Sequence, residues 1–599
     1  MTDMPNWEKR YRAPNVTFPQ WAPDVPNRMT VNSNESGVWQ VHAWDLREGT
    51  RRQVTDHPVG VVEGAPTYDG GGVVYWQDET GDESGRWYLQ PFEGGPANPF
   101  LDGVPVGWNE GIAMGRSATV AAVSDRDGFA VYAGTNGGEM RRIHRHIESV
   151  RMGCEGSPYG ALSADESLVV VEHAEHGDII HQALRVIDAR TGEAVGDIRD
   201  EGMNLRATCW STVPGDARLA FVHERDGEEQ PGIWDLRSGA RTDLKLGLPG
   251  ISEALDWWPD GRALLIGNMF EGRGTLHRYE IASGTLEIIP TPPGTISGGG
   301  VRPDGVVWFR HNDSAHPTRI LNDRHEEVVR PPGPRAPEGR GFVSWHFQNE
   351  HGQTVHGFHV APPGDGPFPM VMLVHGGPTW LDEDRWYPEA QAYVDAGMAV
   401  GLVNYRGSVG YGREWRDTLI GNIGGPELED VNAGLADLVA RGIADPSRAV
   451  IAGWSWGGYT TLMELGTHPE LWLCGVAGVP VGDYELSYED MSPVLQAYDR
   501  ALLGGAPKDV PALMRERNPI YFADHVRAPV MFVIGENDSR CPYRQAMAYV
   551  EKLAARDHPH EVYVFGTGHS SFDIGEEVRQ QRAILEFLAK HVPGVTVPG

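Results

Sequence analysis

From about Phe18 to about Val329 the apolar residues fall in short alternating runs, such as GVVYWQDE, SLVVVEHAE, ARLAFVHERDG and RALLIGNMFEG, separated by polar turns rich in glycine. Period-two alternation predicts half-buried strands, and no stretch here has the 3.6-residue period of a long amphipathic helix. One unit recurs, a strand ending in a polar turn with glycine: AWDLREG, LQPFEG, YAGTNG, IDARTG, WDLRSG and YEIASG. Its glycines are Gly49, Gly94, Gly137, Gly192, Gly239 and Gly284, and a seventh, degenerate copy, ILNDRHEE from Ile320, lacks the glycine. Spacing of this kind predicts a seven-bladed β-propeller over residues 18–329, each four-stranded blade burying its faces against its neighbours. The longest step, Gly137 to Gly192, predicts a longer loop between Gly138 and Gly156.

Residues 330–341, RPPGPRAPEGRG, have no apolar periodicity and predict an inter-domain linker. Beyond them the pattern changes. Apolar strands (MVMLV, MAVGLV, RAVIA, PVMFVIG, EVYVFG) alternate with helical segments near 388–396, 428–441 and from 458 into the early 460s. That alternation predicts an α/β domain with a mostly parallel sheet over residues 342–599. The chain is thus expected to be multidomain, with residues 1–17 as an N-terminal extension.

Composition narrows the partners. The net charge of −32 argues against a nucleic-acid backbone as the main partner. Four cysteines, Cys154, Cys209, Cys474 and Cys541, are too sparse for a disulfide framework, and none lies in a C-x-x-C pair. No apolar run has the length of a membrane span, and no apolar segment follows the charges of MTDMPNWEKRYRAPNV. These features predict a soluble, cytoplasmic protein with no membrane partner.

The chemistry lies in the second half. Gly453-Trp454-Ser455-Trp456-Gly457 follows a strand-like segment at 448–452 and precedes a helix-like one. A nucleophile elbow needs this setting, because the strained turn exposes the serine oxygen and the glycines allow close backbone approach. A serine hydroxyl needs a histidine base, and the histidine needs a carboxylate to hold its tautomer. In α/β-hydrolases the chain order is Ser, Asp, His. Asp538 follows the strand PVMFVIG and His569 follows EVYVFG, so both are expected at one edge of the sheet. His375-Gly376-Gly377-Pro378 follows MVMLV, which assigns the oxyanion hole to the amides of Gly377 and Trp456. His375 has no H-E-x-x-H or cysteine cluster beside it and reads as shaping its loop, so no metal or cofactor is expected.

These residues resemble the prolyl oligopeptidase family of serine peptidases, most closely its acylaminoacyl-peptidase-like and dipeptidyl-aminopeptidase-like branches. The matching pieces are HGGP at 375–378, NYRGSVGYG at 404–412, LEDV at 428–431, GWSWGGY at 453–459, ERNPIYFADHVRAPVMFVIGENDSRCP at 516–542 and GTGH at 566–569. The resemblance implies that Ser455, Asp538 and His569 form a triad, that substrates are short peptides, and that the propeller restricts entry. It implies that Arg540 holds a substrate carbonyl or carboxylate, and that Tyr459 and residues 479–484 lie near the acyl pocket. It also implies self-association, although no sequence feature decides the oligomeric state.

Two departures stand out. Cys541 replaces the family's usual valine, and Gly566-Thr567-Gly568 replaces an acidic approach to the histidine. Trp454 and Trp456 suggest an aromatic-lined site. Branches that take a free N-terminus use a glutamate pair from the propeller; here Glu228-Glu229 in RDGEEQPG reads as a solvated hairpin tip. Two other functions remain open: an esterase or amidase acting on a non-peptidic small molecule, and a catalytically silent propeller interaction protein.

Overall fold

The computed structural model describes residues 4–599, so the first three residues of the N-terminal extension lie outside it. From Gln20–Trp21 to Glu327–Val329 the chain runs as successive antiparallel meanders of four strands, a β-propeller. Five of the sheets have four strands each. In an eight-stranded sheet, two meanders join where Ser84–Pro91 pairs with Gly107–Met114. The repeated turn links the last two strands of a meander, as Gly49 does between Gln40–Asp45 and Thr50–Gln53. All six turn glycines have positive φ, from 65° at Gly49 to 106° at Gly94, a conformation without a Cβ penalty only for glycine. In the degenerate copy His325 takes this conformation, with φ 62°, and its Nε2 bonds the Pro290 carbonyl at 2.9 Å.

The long loop expected between Gly138 and Gly156 is not there. Arg141–His146 is an edge strand paired with Gly128–Thr135, and Val150–Met152 opens the next sheet. The extra length lies at 153–167, ahead of Leu168–His173. RRIHRH was illegible as a strand because it is an outer, solvated strand with no buried face to impose alternation.

The second domain is an α/β-hydrolase. Its eight-stranded sheet has the order Val343–Gln348, Thr354–Val360, Ala399–Val403, Phe368–Val374, Ala444–Trp454, Cys474–Gly478, Val530–Gly535, His560–Phe565, parallel from the third strand onward. Helices cover both faces. One core contains Met372, Ile451, Tyr459, Leu462 and Phe532. The other contains Val371, Val450, Tyr393 and Leu585, and also Trp7. Trp7 is fully buried because the helix Asn6–Arg12 packs on Pro388–Asp395 and Ile574–His591. The described chain therefore packs its first helix on the hydrolase domain, builds the propeller and returns. Residues 330–341 form no helix or strand, and the carbonyls of Pro337 and Glu338 accept from Arg10 at 3.3 and 2.9 Å.

Polar contacts join the two domains. Buried Arg416 pairs with buried Glu224, and His181 of the propeller bridges Asp178 at 2.7 Å and Asp417 of the hydrolase domain at 3.2 Å. Burial disfavours the His181 imidazolium, but the bonds to both carboxylates outweigh it and raise its pKa from 6.5 to about 9. A folded pKa above the unfolded one means that this contribution is full below pH 6.5 and is lost as pH rises through 9. Between pH 6 and 10 the protein is expected to lose on the order of 3 kcal/mol more stability than its His181→Gln variant. Guanidinium unfolding of both proteins at the two pH values reads the difference; parallel losses would refute it.

Candidate active site

The predicted nucleophile sits where the backbone is most constrained. Ser455 follows the strand Ala444–Trp454, caps the helix Trp456–Thr467, and has φ 58° and ψ −116°. A non-glycine residue held there stores about 1–3 kcal/mol, so the surroundings must enforce it. They do so through backbone packing. A Cβ on Gly457 would lie 2.1 Å from the Val374 carbonyl oxygen, and one on Gly453 would lie 2.5 Å from the Gly457 backbone. Gly457 is therefore required by the close approach of the elbow to the neighbouring strand, and Gly453 by the tightness of the elbow itself.

That neighbour brings in the second predicted element. Phe368–Val374 pairs in parallel with Ala444–Trp454, with Val374 opposite Gly453, so His375–Pro378 leaves the sheet beside the elbow. A Cβ on Gly376 would stand 3.1 Å from Trp454 O, 3.4 Å from Ser455 Cβ and 3.9 Å from Trp456 N. Gly377 has φ 124°. The Trp456 N–H is the first of its helix and has no carbonyl one turn back. His375 is buried, stacks on Tyr405 at 4.2 Å and bonds Ser408 Oγ through Nε2 at 2.9 Å. Burial lowers its pKa to about 4, so it is a neutral support for the loop.

Asp538 and His569 come from the ends of the adjacent strands Val530–Gly535 and His560–Phe565. His569 Nδ1 donates to Asp538 Oδ2 at 2.8 Å. Asp538 Oδ1 accepts the amides of Arg540 and Cys541, each at 2.8 Å, which fixes the carboxylate and directs its other oxygen to the imidazole. The polar atoms of Asp538, Cys541 and His569 lie within 4.8 Å of one another, and Ser455 Oγ is 4.0 Å from Cys541 Sγ. Cys541 thus neighbours both the serine and the Asp538–His569 pair. Burial, then the Asp538 charge, raises its thiol pKa well above the ordinary value and keeps it neutral.

The propeller reaches into this site. A Cβ on Gly568, next to His569, would lie 1.8 Å from Gly81 O, and Asn537 Nδ2 donates to Thr80 O at 3.1 Å. From the same hairpin Glu83 holds Arg540 with both oxygens, at 2.7 and 3.0 Å. Arg540 is therefore already paired across the domain boundary. Burial, aided by the Glu83 charge, pushes Glu63 up to about 7, and Glu155 adds to the same field. This carboxylate group, of which Glu83 meets Arg540, was not recognised in the sequence, where Glu63, Glu83 and Glu155 stand far apart.

Three expectations are corrected. Tyr459 is fully buried, donates to Arg517 O at 2.9 Å and packs on Trp456 and Tyr484, so it braces the site from behind. Trp454 turns away and donates to Glu389 at 3.1 Å; of the two tryptophans beside Ser455, only Trp456 sits in the core with Tyr459, Tyr484 and Cys541. The Glu228-Glu229 hairpin docks against the hydrolase domain, where Gly227 O accepts the Arg413 amide at 2.7 Å and burial raises the Glu229 pKa. Trp380, just past Gly377, is 54% exposed into a cavity of about 990 Å³. That cavity runs through the propeller's inner strands past Trp21 and Tyr159, and its lining includes none of Ser455, Asp538 and His569.

A propeller joined to an α/β-hydrolase sheet, with a strand–turn–helix serine at their boundary, defines a class of two-domain hydrolases. Residues 385–594, about a third of the chain, match the prolyl oligopeptidase family. It is 30% identical over 205 residues to the acylamino-acid-releasing enzyme of Rattus norvegicus, covering 33% of this chain and 28% of that one. It is 28% identical over 239 residues to dipeptidyl aminopeptidase BIII of Pseudoxanthomonas mexicana, covering 39% and 35%. The matching stretch thus spans about a third of the length of these curated relatives. The crystal structure of a puromycin hydrolase superposes with a TM-score of 0.84 at 21% identity, covering 100% of this chain and 97% of that one. This last likeness concerns the fold.

Proposed function

We propose that this protein is a serine peptidase acting on short peptides through Ser455, His569 and Asp538 as its catalytic triad. The observation that carries the reading is the constrained Ser455 elbow set beside the Asp538-oriented His569. In this reading His569 Nε2 accepts the Ser455 proton as Oγ attacks the carbonyl. The amides of Gly377 and Trp456 hold the oxyanion, His569 returns the proton to the leaving amine, and water then releases the acyl group. Counted with the eight-stranded sheet as two blades, the propeller has seven, and their closure over the site restricts it to short or flexible chains. The negative charge supports a protein that binds neither nucleic acid nor an acidic membrane surface. Among the described residues no helix is long and apolar enough to cross a membrane. A cytoplasmic, self-associating enzyme is the setting that this reading adopts.

A second reading concerns which peptides are taken. Glu83 occupies the Arg540 guanidinium, and Glu63 and Glu155 extend the acidic patch. Such a patch favours a substrate ammonium over an N-acetyl group. Matched p-nitroanilides, one N-acetylated and one with a free amine, separate the two. Preference for the free amine is expected from the acidic patch, and preference for the acetylated member would assign an acylaminoacyl-directed peptidase. Cleavage of a p-nitrophenyl ester with neither anilide turned over would replace the peptidase by an esterase.

A further inference from the structure

Close enough to Cys541, the neighbour of Ser455, for its charge to act there lies a carboxyl group that the reaction described above does not use. Asp499 sits within the helix Pro493–Leu503, is 6% exposed, and its Oδ2 has no hydrogen-bond partner among the described residues. The helix is tied to both loops of the site. At its start the Ser492 amide donates to Ser539 O at 2.9 Å, in the loop that carries Asp538 and Arg540. Further along, Tyr498 OH and Thr379 Oγ1 lie 3.3 Å apart, linking it to the loop of Gly377. Asp499 is therefore held on an element that spans the two sides of the nucleophile.

Its neighbours mark the same place. Tyr484, Tyr498 and Cys541 are each raised in pKa first by burial, and the Asp499 charge adds to all three. Cys541 is the residue 4.0 Å from Ser455 Oγ. Burial alone pushes the Asp499 carboxyl to about 7, with no neighbouring cation to offset it. Trp456 Nε1 and Ser539 Oγ, buried donors in the adjoining elements, are also without partners. An unpaired buried carboxyl costs about 1–3 kcal/mol or more, and folded proteins keep few such groups. A ligand that brings a charged donor removes that cost and forms the stronger, charge-assisted kind of hydrogen bond.

We propose that Asp499 determines specificity at the acyl side of this site by accepting the cationic side chain of a lysine or arginine whose carbonyl Ser455 attacks. This inference rests on Ser455 being the nucleophile. A long methylene stem lets a side chain pack along apolar surroundings while its cationic end meets a carboxylate at depth.

The test compares lysine and norleucine p-nitroanilides bearing the same N-terminal group, in wild type and Asp499→Asn. The wild type is expected to prefer lysine by about tenfold or more in kcat/KM, and the variant to lose most of that ratio. Diphenyl phosphonates with lysine-like and norleucine-like side chains give the same comparison as labelling rates on Ser455, without turnover. The wild-type ratio needs no variant, so a misfolded Asp499→Asn leaves the test intact. Equal wild-type rates for the two side chains, or a lysine preference unchanged in a folded Asp499→Asn, would overturn the role of Asp499 alone. Failure of Ser455 to react with any fluorophosphonate would overturn the nucleophile reading, and this inference with it.

Discussion

Ser455→Ala is expected to lower kcat on the preferred p-nitroanilide by about 10⁶-fold, because removing the nucleophile of a triad leaves only what the oxyanion donors and substrate binding supply. The site predicts this large factor because no other hydroxyl replaces Ser455 Oγ at the elbow; its neighbour there is Cys541, a buried thiol held neutral next to the Asp538 charge. The variant should fold normally, since alanine keeps the same Cβ and the surrounding glycine contacts. Ser455→Gly should be inactive as well but more stable than the alanine form. Glycine relieves the strain of φ 58°, about 1–3 kcal/mol, and gives back about 1 kcal/mol to the freer unfolded chain. Initial rates and thermal unfolding of both variants measure the two effects. Activity of Ser455→Ala within tenfold of wild type would remove Ser455 from the reaction.

The second large effect is expected at Asp538. In Asp538→Asn the side-chain oxygen is retained most strongly by the two amides of Arg540 and Cys541, which both point at Oδ1. The new NH₂ group then faces His569 Nδ1, where the carboxylate oxygen accepted a hydrogen bond at 2.8 Å. To meet a donor, Nδ1 must carry the lone pair and Nε2 the proton, so the imidazole cannot accept the proton of Ser455. Loss of the correct tautomer costs about 10⁴ in kcat at unchanged geometry. The checks are kcat near neutral pH and the ring-nitrogen NMR shifts of His569, which report the tautomer. A variant retaining more than a tenth of wild-type activity would show that Asp538 does not set the tautomer.

Much of this architecture was legible in the chain because it rests on local periodicity. The alternating runs and their turn glycines mark the propeller, since each turn demands the positive φ that glycine adopts without strain. Where a different residue bears that conformation, as at His325, the signal thinned but the turn remained. The outer strand Arg141–His146 was missed for the opposite reason, having no buried face to impress a pattern. The elbow could be read from G-x-S-x-G because close backbone contacts dictate both glycines, Gly457 against the next strand and Gly453 within the turn, a requirement that is written into residue type.

Residues whose roles depend on what crosses from one domain to the other were not legible. Nothing in QDETGDESG shows that Glu83 clamps Arg540, and nothing in LQAYDRALL marks Asp499 as buried and unpaired. Tyr459 follows the nucleophile by four residues, one helical turn, yet that turn carries its ring into the core.

Residue type and chain order alone point to the class of chemistry: a serine at a strand–helix turn, with aspartate and histidine after later strands in the order the fold requires. Strand ends and glycine turns are local, so residue type suffices to specify them. Only the tertiary structure decided which charges meet. It turned Arg540 toward a propeller carboxylate, docked the Glu228-Glu229 hairpin on the hydrolase domain and buried Asp499 without a partner for its Oδ2 among the described residues. The reason is that electrostatic pairing and desolvation depend on distance and burial, which are set by how the two domains close on each other.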